Sequence, residues 1–583
     1  MTSLARIADS VETFDRFVDA EVRRVRGNPA ARRRILARWR DLQARIGTTT
    51  TPTGLELPRL ALPQTDEVGE IARYLLGQGA PGEFPYLSGV YPEQYLEKPP
   101  AAQTEEPTRL FAGLGLAEDT NARFHFVKTQ QRTIRLSTAF DGPTLYGVGS
   151  DADGAFGKIG EGGVAIDTLD DMARLYAGFP LDADQFSVSM TINGPAPIIL
   201  AMYVALARRK HGPAVVKKLR GTVQADILKE VQAQNEMIVP IEPALRFLTD
   251  MAEFTTAHMP RWYPISISGY HIAEAGATPV QQAAYTLSNG FTYVDLFKER
   301  GMDVNTFGPR LSFFLDCGLD IEYLALARVC RKIWAVALRD VFGAGPSAQR
   351  LKLHTQTSGR SLIAADYENN LTRTAVELML AYMNATNSSH SNSADEPFTT
   401  PSQKYVRLAA HAQAILLEES GLFKHMMNAL AGSPGMERVE RAVQAAILAE
   451  FRAIDQLGGA LSAVEYRYQR SQIQAAAHRC EEQIYAGVRP IVGLNRYADH
   501  HGTGHPMSLV RTPRWKKTLQ VKRLRQFKQR HAKSAPRALD ELAAVIEGGG
   551  NTFAQLIKTV EHCSLGQITQ RMQEIVGRYR PSV

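Results

Sequence analysis

The chain has 583 residues, of which 44% are hydrophobic and 22% charged, and its 67 Lys and Arg against 60 Asp and Glu give a net charge of +7. This is the composition of an ordinary globular protein, which excludes a disordered, collagenous or low-complexity chain. The four cysteines form no CxxC pair, which argues against a disulfide scaffold or a zinc site and favours a reducing compartment.

The N-terminal segment and the apolar runs predict a soluble, cytoplasmic protein. Asp9, Glu12 and Asp15 interrupt the segment in which a signal peptide would need an apolar run. The most apolar stretch, Pro197 to Ala207, is far shorter than the ~20 residues that a membrane helix needs. We therefore expect neither a leader nor a membrane span.

Three regions follow one another along the chain. Residues 1–75 predict a helical arm, broken at the tripeptide GNP, and then an extended linker rich in Thr and Pro. Residues 76–434 alternate short strands with amphipathic helices. Residues 435–583 predict a charged, helical extension.

The alternation in the central region predicts an α/β fold. The strand candidates are 133–140, 162–168, 186–192, 265–270, 291–297, 310–317 and 351–358, with an eighth strand inferred near 388–393. The clearest helical candidates are 197–210, 242–257, 321–341 and 402–419. Because alternating strands and helices require parallel strands, we predict a (β/α)8 TIM barrel with an N-terminal helical arm and a C-terminal helical extension.

One face of three predicted strands is small and polar. Successive side chains of a strand point to opposite faces, so alternate residues share a face. The polar faces consist of Ser187, Ser189 and Thr191, of Ser266, Ser268 and Tyr270, and of His354, Gln356 and Ser358. An ordinary barrel fills its centre with Val, Ile and Leu. We therefore predict that these faces line a wet bore that holds a ligand.

Two basic runs account for the positive charge. Residues 23–40 contain eight arginines, and residues 511–537 contain eleven Lys and Arg around a single Trp515. Nucleic-acid binding is one interpretation, but the base-stacking aromatic residues that it needs are nearly absent. We favour solvated helix faces, or surfaces that dock an acidic partner or phosphates, and expect no nucleic-acid partner.

Five ordered blocks, spread from about residue 75 towards the C-terminus, resemble one enzyme family. They read SVSMTINGPAPIILAMY, GTVQADILKE, SISGYHIAEAGA, LSFF and HTQTSGRSL. They are similar to the large, substrate-binding subunit of adenosylcobalamin-dependent acyl-CoA mutases, the methylmalonyl-CoA mutase family, and above all to isobutyryl-CoA mutases. The resemblance implies a barrel whose Ser/Thr-lined bore takes the pantetheine arm of coenzyme A. It also implies a radical reaction in which the CoA-thioester group migrates to the neighbouring carbon.

The resemblance also assigns roles at the reacting end. His271 matches the histidine that hydrogen-bonds the migrating thioester carbonyl, Tyr270 matches the tyrosine between substrate and cofactor, and Gln224 matches a polar contact to the substrate. The adenosyl group of the cofactor is expected against Gln356, Asn392 and Glu396. Around the asparagine the chain reads SHSN where the family usually has LHTN.

The same matching predicts an uncharged acyl group. Relatives that accept a carboxylated acyl group have an arginine at the position of Gln234, because a guanidinium neutralises a buried carboxylate. The tyrosine of methylmalonyl-CoA mutases is Phe111 here, within RLFAG. Further substrate contacts, most of them to coenzyme A, are expected from Tyr91, Arg109, Ser189, Thr222, Arg310 and Ser312.

We therefore expect interconversion of isobutyryl-CoA and n-butyryl-CoA. Pivalyl-, isovaleryl- or 2-hydroxyisobutyryl-CoA are alternative substrates, and a non-catalytic acyl-CoA-binding protein is an alternative of another class. The presence of His271, Tyr270, Gln356 and Glu396 argues against the last one.

Cobalamin binding in this family needs a Rossmann-like domain with a DxHxxG motif. Asp499, His501 and Gly504 spell that motif, but no alternation of strands and helices follows them, so we interpret the spelling as coincidence. The resemblance then implies a separate cobalamin-binding small subunit, without which the chain binds acyl-CoA but is inactive, and a heterotetramer. Because the sequence has no GxxxxGK[ST] phosphate loop, any GTPase chaperone is expected to be a separate protein.

Overall fold

The N-terminal arm consists of two helices, as predicted. The computed structural model describes residues 2–96, 110–128, 133–498 and 509–581. Helix α1 (Leu4–Gly27) and helix α2 (Pro29–Arg45) meet at Asn28, whose side chain accepts hydrogen bonds from the first N–H groups of α2. Pro29 suits the first helical position, where no N–H is needed. Apolar residues three and four apart bury one side of α1 against the rest of the molecule.

Parallel strands form a TIM-barrel-like core. The strands are β1 (Thr48–Thr50), β2 (Glu56–Pro58), β3 (Leu110–Ala112), β4 (Ile134–Ala139), β5 (Phe186–Thr191), β6 (Gly221–Val223), β7 (Trp262–Tyr263), β8 (Ile265–Ser268), β9 (Leu311–Cys317), β10 (Lys352–Thr357) and β11 (Ser388–His390). Strands β3 to β7 pair in parallel in chain order, and so do β8 to β11. The short hairpin β1–β2 stands where the sequence suggests an extended linker.

Strands β7 and β8 share one position in the core, so the parallel strands occupy eight positions. They flank Pro264, which has no N–H for the ladder. The N–H of Ser266 donates to the carbonyl of Gln224 at 3.0 Å, which links β8 to the end of β6. The edge strands β3 and β11 face each other through the rings of Phe111 and His390, whose centroids are 5.0 Å apart.

Helices surround the strands and form the C-terminal extension. In chain order they are α3 (Val68–Arg73), α4 (Ala117–Lys128), α5 (Gly142–Leu145), α6 (Leu169–Leu175), α7 (Ala196–His211), α8 (Ile227–Lys229), α9 (Ile241–His258), α10 (Tyr270–Glu274), α11 (Pro279–Glu299), α12 (Val304–Phe307), α13 (Leu326–Asp340), α14 (Asn370–Met383), α15 (Gln403–Ala414), α16 (Gly421–Lys424), α17 (Pro434–Gln456), α18 (Ala460–Glu465), α19 (Tyr468–Tyr485), α20 (Arg514–Arg530), α21 (Ala535–Glu547), α22 (Thr552–Thr559) and α23 (Leu565–Val576). None of these helices is both long and apolar enough to span a membrane.

Two predicted strands are wrong. Residues 291–297 lie inside α11, a helix started by a capping box between Thr278 and Gln281 and buried on nearly all sides. When a segment is apolar on all sides, its sequence has no hydrophobic periodicity that would distinguish a strand from a helix. Residues 162–168 form a loop with a single bridge between Phe140 and Val164. Strands β3, β6 and β7 were not predicted, because two or three residues are too few to show an alternating pattern.

The C-terminal basic run docks onto the acidic loops of the chain's own barrel. Helix α20 forms the ion pairs Lys516–Asp119, Lys517–Glu161, Arg523–Glu118, Lys528–Asp151 and Arg530–Asp170. Between these cations Gln520, which is buried, donates to Asp167 at 2.8 Å. The predicted docking to an acidic surface therefore takes place within the molecule.

Candidate active site

A cavity of about 660 Å³ lies inside the barrel. In β5 the side chains of Phe186, Val188 and Met190 are buried against the outer helices, and the hydroxyl-bearing residues between them face the cavity. The polar part of the wall includes Ser137, Ser187, Ser189, Thr191, Thr222, Ser266, Ser312, His354, Gln356 and Ser388. The predicted polar bore is confirmed, although Ser268 and Ser358 are not part of its wall and Tyr270 begins α10 instead of continuing β8.

Positive charge collects where the barrel strands begin. Arg220 and Arg261 precede β6 and β7, Arg310 precedes β9, and Lys352 opens β10, and all four side chains line the cavity. Because the amino ends of parallel strands meet on one side of a barrel, these residues mark one mouth of the cavity. The carboxylate of Asp184, which pairs with Arg261, also lines this mouth, so the positive charges there exceed the negative one. A mouth of this charge is suited to phosphate groups.

The imidazole of His271 lies at the opposite, carboxyl end of the strands. Helix α10 begins directly after β8 with Tyr270 and His271. Nδ1 of His271 is 2.7 Å from Oγ of Ser268, whose N–H donates to the buried carboxylate of Asp226 at 2.7 Å. Burial, assisted by the charge of Lys229, holds the pKa of His271 well below its usual 6.5, so the ring is neutral at pH 7.

Tyr270 joins two of the predicted cofactor residues. Its ring stacks on Phe314, with centroids 4.9 Å apart and planes within 4° of each other. Its hydroxyl accepts a hydrogen bond from Nε2 of Gln356 at 2.9 Å, and the same amide donates to Oδ1 of Asn392 at 2.7 Å. Burial and nearby carboxyl groups, including that of Glu396, raise the pKa of Tyr270 well above 10 and keep it a neutral phenol.

A series of buried hydrogen bonds through Asn193 and Asp226 links Gln224 to His271, and it was not predicted from the sequence. Gln224 accepts from Nδ2 of Asn193 at 3.1 Å, and Oδ1 of Asn193 accepts from the N–H of Asp226 at 3.0 Å. Asp226 then holds Ser268, the partner of His271. Burial raises the pKa of Asp226 to about 6. The available signal was that Asn193 and Asp226 each follow closely after a barrel strand.

The structure brings most predicted site residues together. Those that line the cavity are Tyr91, Phe111, Ser189, Thr222, Gln224, Arg310, Ser312 and Gln356. Tyr270 and Asn392 adjoin it through their hydrogen bonds with Gln356, and His271 adjoins it through the ring of Phe314, which lines the cavity and whose centroid is 5.8 Å from that of the imidazole. Glu396 lies half-buried in the loop after β11, where its Oε1 accepts from the N–H of Ser393 at 2.8 Å. Arg109 lies outside the described residues, as do Asp499, His501 and Gly504.

Residues 50–578 match the family model described as methylmalonyl-CoA mutase. The chain belongs to this family. It is 42% identical to the fused isobutyryl-CoA mutase of Geobacillus kaustophilus, over 94% of this chain and 54% of the relative. It is 43% identical to the fused enzyme of Paraburkholderia xenovorans, over 94% of this chain and 44% of the relative. The chain therefore spans about half the length of these relatives.

A third relative is matched over most of its length. The 2-hydroxyisobutanoyl-CoA mutase large subunit of Aquincola tertiaricarbonis is 36% identical, over 86% of this chain and 88% of the relative.

The donor set at the carboxyl end fits the adenosyl group of the cofactor that the family resemblance implies. The amides of Gln356 and Asn392 already lie in hydrogen-bonding contact, and both are held on neighbouring barrel strands or at their ends. Burial raises the pKa of the Glu396 carboxyl to about 7, so it can donate or accept. Amides and a carboxyl of this kind suit the hydroxyls of a ribose and the ring nitrogens of an adenine.

The SHSN segment of this mutase-family chain is held by its own hydrogen bonds. Ser389 lies 2.7 Å from the hydroxyl of Tyr382 and donates to Oε1 of Gln413 at 2.8 Å. Nε2 of Gln413 donates to Ser391 at 2.9 Å. Both serines that depart from LHTN thus belong to one buried network, which fixes the end of β11 and with it Asn392.

The segment that carries Gln234 lies outside the cavity wall. Gln234 ends a π-helical turn, Glu230–Gln234, that continues from α8, and its side chain is exposed. Its Oε1 accepts a hydrogen bond from Nζ of Lys229, which is buried and pairs with Glu230 at 2.5 Å. The positive charge of Lys229 is therefore already compensated within the protein.

Proposed function

We propose that this chain is the catalytic large subunit of an adenosylcobalamin-dependent acyl-CoA mutase that interconverts isobutyryl-CoA and n-butyryl-CoA. The observation that carries the proposal is one cavity with a cationic mouth at the amino ends of the strands, whose lining residues Phe314 and Gln356 contact the Tyr270–His271 pair at the carboxyl ends. The phosphates of coenzyme A would bind at Arg310 and its neighbours. The pantetheine arm would lie along the Ser- and Thr-rich wall, with Tyr91, Ser189, Thr222 and Ser312 as contacts.

At the reacting end, His271 acts as a neutral donor. We assign the ring proton to Nε2, with Oγ of Ser268 donating to Nδ1 over their 2.7 Å contact, so that Nε2 can donate to the thioester carbonyl. Tyr270, stacked on Phe314, separates the substrate from the cofactor side and excludes water, and Gln224 orients the acyl group. When bound, adenosylcobalamin supplies the radical chemistry, and Gln356, Asn392 and Glu396 would hold its adenosyl group.

The charges around Gln234 support an uncharged acyl group. Lys229 is neutralised by Glu230, and the nearby Glu236 has its pKa raised to about 7 by burial and then by the charge of Glu230. A substrate carboxylate placed here would meet further carboxyl groups, and the ammonium group of Lys229 is already paired with Glu230. Phe111, on the cavity wall, likewise offers no hydroxyl.

Other uncharged acyl groups form the second candidate class. The match to a 2-hydroxyisobutanoyl-CoA mutase large subunit favours 2-hydroxyisobutyryl-CoA among them. Pivalyl- and isovaleryl-CoA share the lack of charge that the surroundings of Gln234 require.

We also propose that a separate small subunit supplies cobalamin, in a heterotetramer assisted by a separate GTPase chaperone, in the cytoplasm. The support is the match to a protein that is itself called a large subunit, while the isobutyryl-CoA mutases that the chain matches are named as fused enzymes. The division into an arm (1–75), a barrel (76–434) and an extension (435–583) belongs to the same proposal.

The test combines the purified chain with a cobalamin-binding small subunit and adenosylcobalamin, and follows each acyl-CoA by chromatography. We expect isobutyryl-CoA to give n-butyryl-CoA, and His271→Ala to abolish the conversion. The chain alone should bind isobutyryl-CoA without converting it. Turnover by the chain and cofactor without a second subunit would contradict the two-subunit proposal. Binding of acyl-CoA with no turnover in the assembled complex would favour the non-catalytic alternative.

A further inference from the structure

The segment beside Gln234 makes a sharp turn that needs support. Asn235 adopts a left-handed conformation, with φ 64°, which few residues other than glycine adopt without cost. Its N–H donates to the carbonyl of Glu230 at 2.7 Å, and the N–H of Glu236 donates to the Glu230 carboxylate at 2.8 Å. The conformation of Asn235 therefore sets the path of the backbone from Gln234 to Glu236.

The C-terminal extension holds this turn from outside the barrel. Nη2 of Arg470, on α19, donates to Oδ1 of Asn235 at 2.7 Å and to the carbonyl of Val231 at 3.0 Å. The hydroxyl of Tyr579, beyond α23, donates to the same Oδ1 at 3.2 Å. Gln573, on α23, donates to the carbonyl of Ile238 at 2.9 Å. Three residues remote in sequence thus converge on one short segment.

The other side of the same segment faces the reacting groups. Helix α10, which begins with Tyr270 and His271, packs directly against the π-helical turn. Lys229, just before that turn, contacts Gln234 and is close enough to His271 to act on its charge. A displacement of the turn would therefore reach the acyl end of the site, while the cationic mouth lies at the opposite end of the strands.

We propose that Arg470 and Tyr579 are positioning residues for the acyl end of the site: by fixing the Asn235 turn, against which α10 packs, they hold Lys229 and the Tyr270–His271 end of α10 in place and so determine which acyl groups are accepted. This inference rests on the proposed mutase function. It gives the C-terminal extension a role in substrate selection in addition to its packing on the barrel.

The test compares Tyr579→Phe and Arg470→Met with Tyr468→Phe. The control removes a hydroxyl from the same extension, since Tyr468 lies on α19 and donates to Glu450 at 3.0 Å, away from the turn. In the complex with the cobalamin subunit, kcat/KM is measured for isobutyryl-CoA and for 2-hydroxyisobutyryl-CoA. Calorimetry on the chain alone gives the Kd of isobutyryl-CoA and that of coenzyme A.

We expect Arg470→Met to change the ratio of the two kcat/KM values by about tenfold, and Tyr579→Phe by less, because one neutral hydrogen bond is weaker than a charged one. Both should weaken isobutyryl-CoA binding while the Kd of coenzyme A stays within about twofold. Arg470→Lys, which keeps the charge, should recover part of the ratio.

Two results would overturn the inference: an unchanged ratio with unchanged acyl-CoA binding, or equal losses for isobutyryl-CoA and coenzyme A, which would indicate a general structural effect. If the wild-type complex converts no acyl-CoA, the proposed function fails, and the two Kd values still decide whether the turn controls the acyl end.

Discussion

His271 depends on a buried neighbour for its role. Ser268 occupies Nδ1, and Asp226 anchors Ser268 through its N–H, so the ring is fixed in orientation before any substrate binds. Burial keeps the ring neutral. In the proposed mechanism these contacts leave Nε2 free to donate to the substrate, so His271 would act as an oriented neutral donor.

Substitutions at this pair should separate catalysis from binding. We expect His271→Ala to lower kcat by about 10²–10³-fold and Ser268→Ala by about tenfold, with little change in the Kd of isobutyryl-CoA. Ser288→Ala is the matched control, because this buried hydroxyl only donates to the carbonyl of Tyr285. A Ser268→Ala enzyme with normal kcat would show that the serine does not position the ring.

Gln234 should decide the charge of the acyl group. We expect Gln234→Arg to raise the kcat/KM for methylmalonyl-CoA relative to isobutyryl-CoA by about tenfold or more, because it adds a cation that Glu230 does not already neutralise. Gln234→Leu removes the amide without adding charge and serves as the control. Equal changes of the two-substrate kcat/KM ratio in both variants would contradict a role for the charge at position 234.

Asp316 should lower the stability of the folded protein as the pH rises from about 4 to about 8. Its carboxyl accepts from the hydroxyl of Tyr323 at 2.6 Å, and burial, followed by the charge of Glu274, raises its pKa to about 8. Between its unfolded pKa of about 4 and this value, the folded state keeps a proton that the unfolded chain has lost, so stability falls as the pH rises.

We therefore expect the wild type to lose stability on the order of a few kcal/mol between pH 5 and pH 8, and Asp316→Asn to lose less. Denaturant midpoints at the two pH values measure the difference. Asp153→Asn, at an exposed carboxyl, is the control. Equal losses in wild type and Asp316→Asn would assign the pH dependence to other groups.

At the scale of elements, the sequence predicts the long strands and misses most of the short ones, with β8 and β11 as exceptions. Strands β4, β5, β9 and β10 are predicted because six or seven residues suffice to show alternation or a β-branched run. Strands β6 and β7 have too few residues, and their positions follow only from pairing with neighbours. The run at 291–297 has the composition of a strand, but it belongs to a helix that starts at a capping box thirteen residues upstream and is buried in the core. Neither feature can be recognised from the seven residues themselves.

The site divides in the same way. Tyr270 and Gln356 stand in blocks that resemble the family, Asn392 stands in the SHSN segment that departs from LHTN, and the structure places the three in contact. The supports of the site, such as Gln413 and Arg470, come from helices far along the chain. No local pattern predicts such contacts, because they depend on how α15 and α19 pack.

Helix α20 should be held by its buried contacts rather than by its overall charge. Lys517 is nearly buried and bonds both Glu161 and the carbonyl of Gly157 at 2.7 Å. We expect Lys517→Met to destabilise the docking of α20 by about 1–3 kcal/mol, seen as faster limited proteolysis after Arg530. Lys522→Met, at an exposed position of the same helix, should have almost no effect. Equal sensitivity of the two variants would mean that net charge holds the helix.

At the scale of the whole molecule, the barrel separates two tasks along one axis. The cations at the amino ends of the strands are suited to the phosphates of coenzyme A, and the carboxyl ends hold the reacting groups. The extension closes on the barrel from outside, through α20 at the acidic loops and through α19 and Tyr579 at the Asn235 turn.

The most direct measurement is a crystal structure of the chain with isobutyryl-CoA bound. We expect this structure to show phosphate groups beside Arg310, the pantetheine arm inside the barrel, and the thioester oxygen within hydrogen-bonding distance of Nε2 of His271. Coenzyme A bound outside the barrel, or with its phosphates at the His271 end, would contradict the proposed mode of binding.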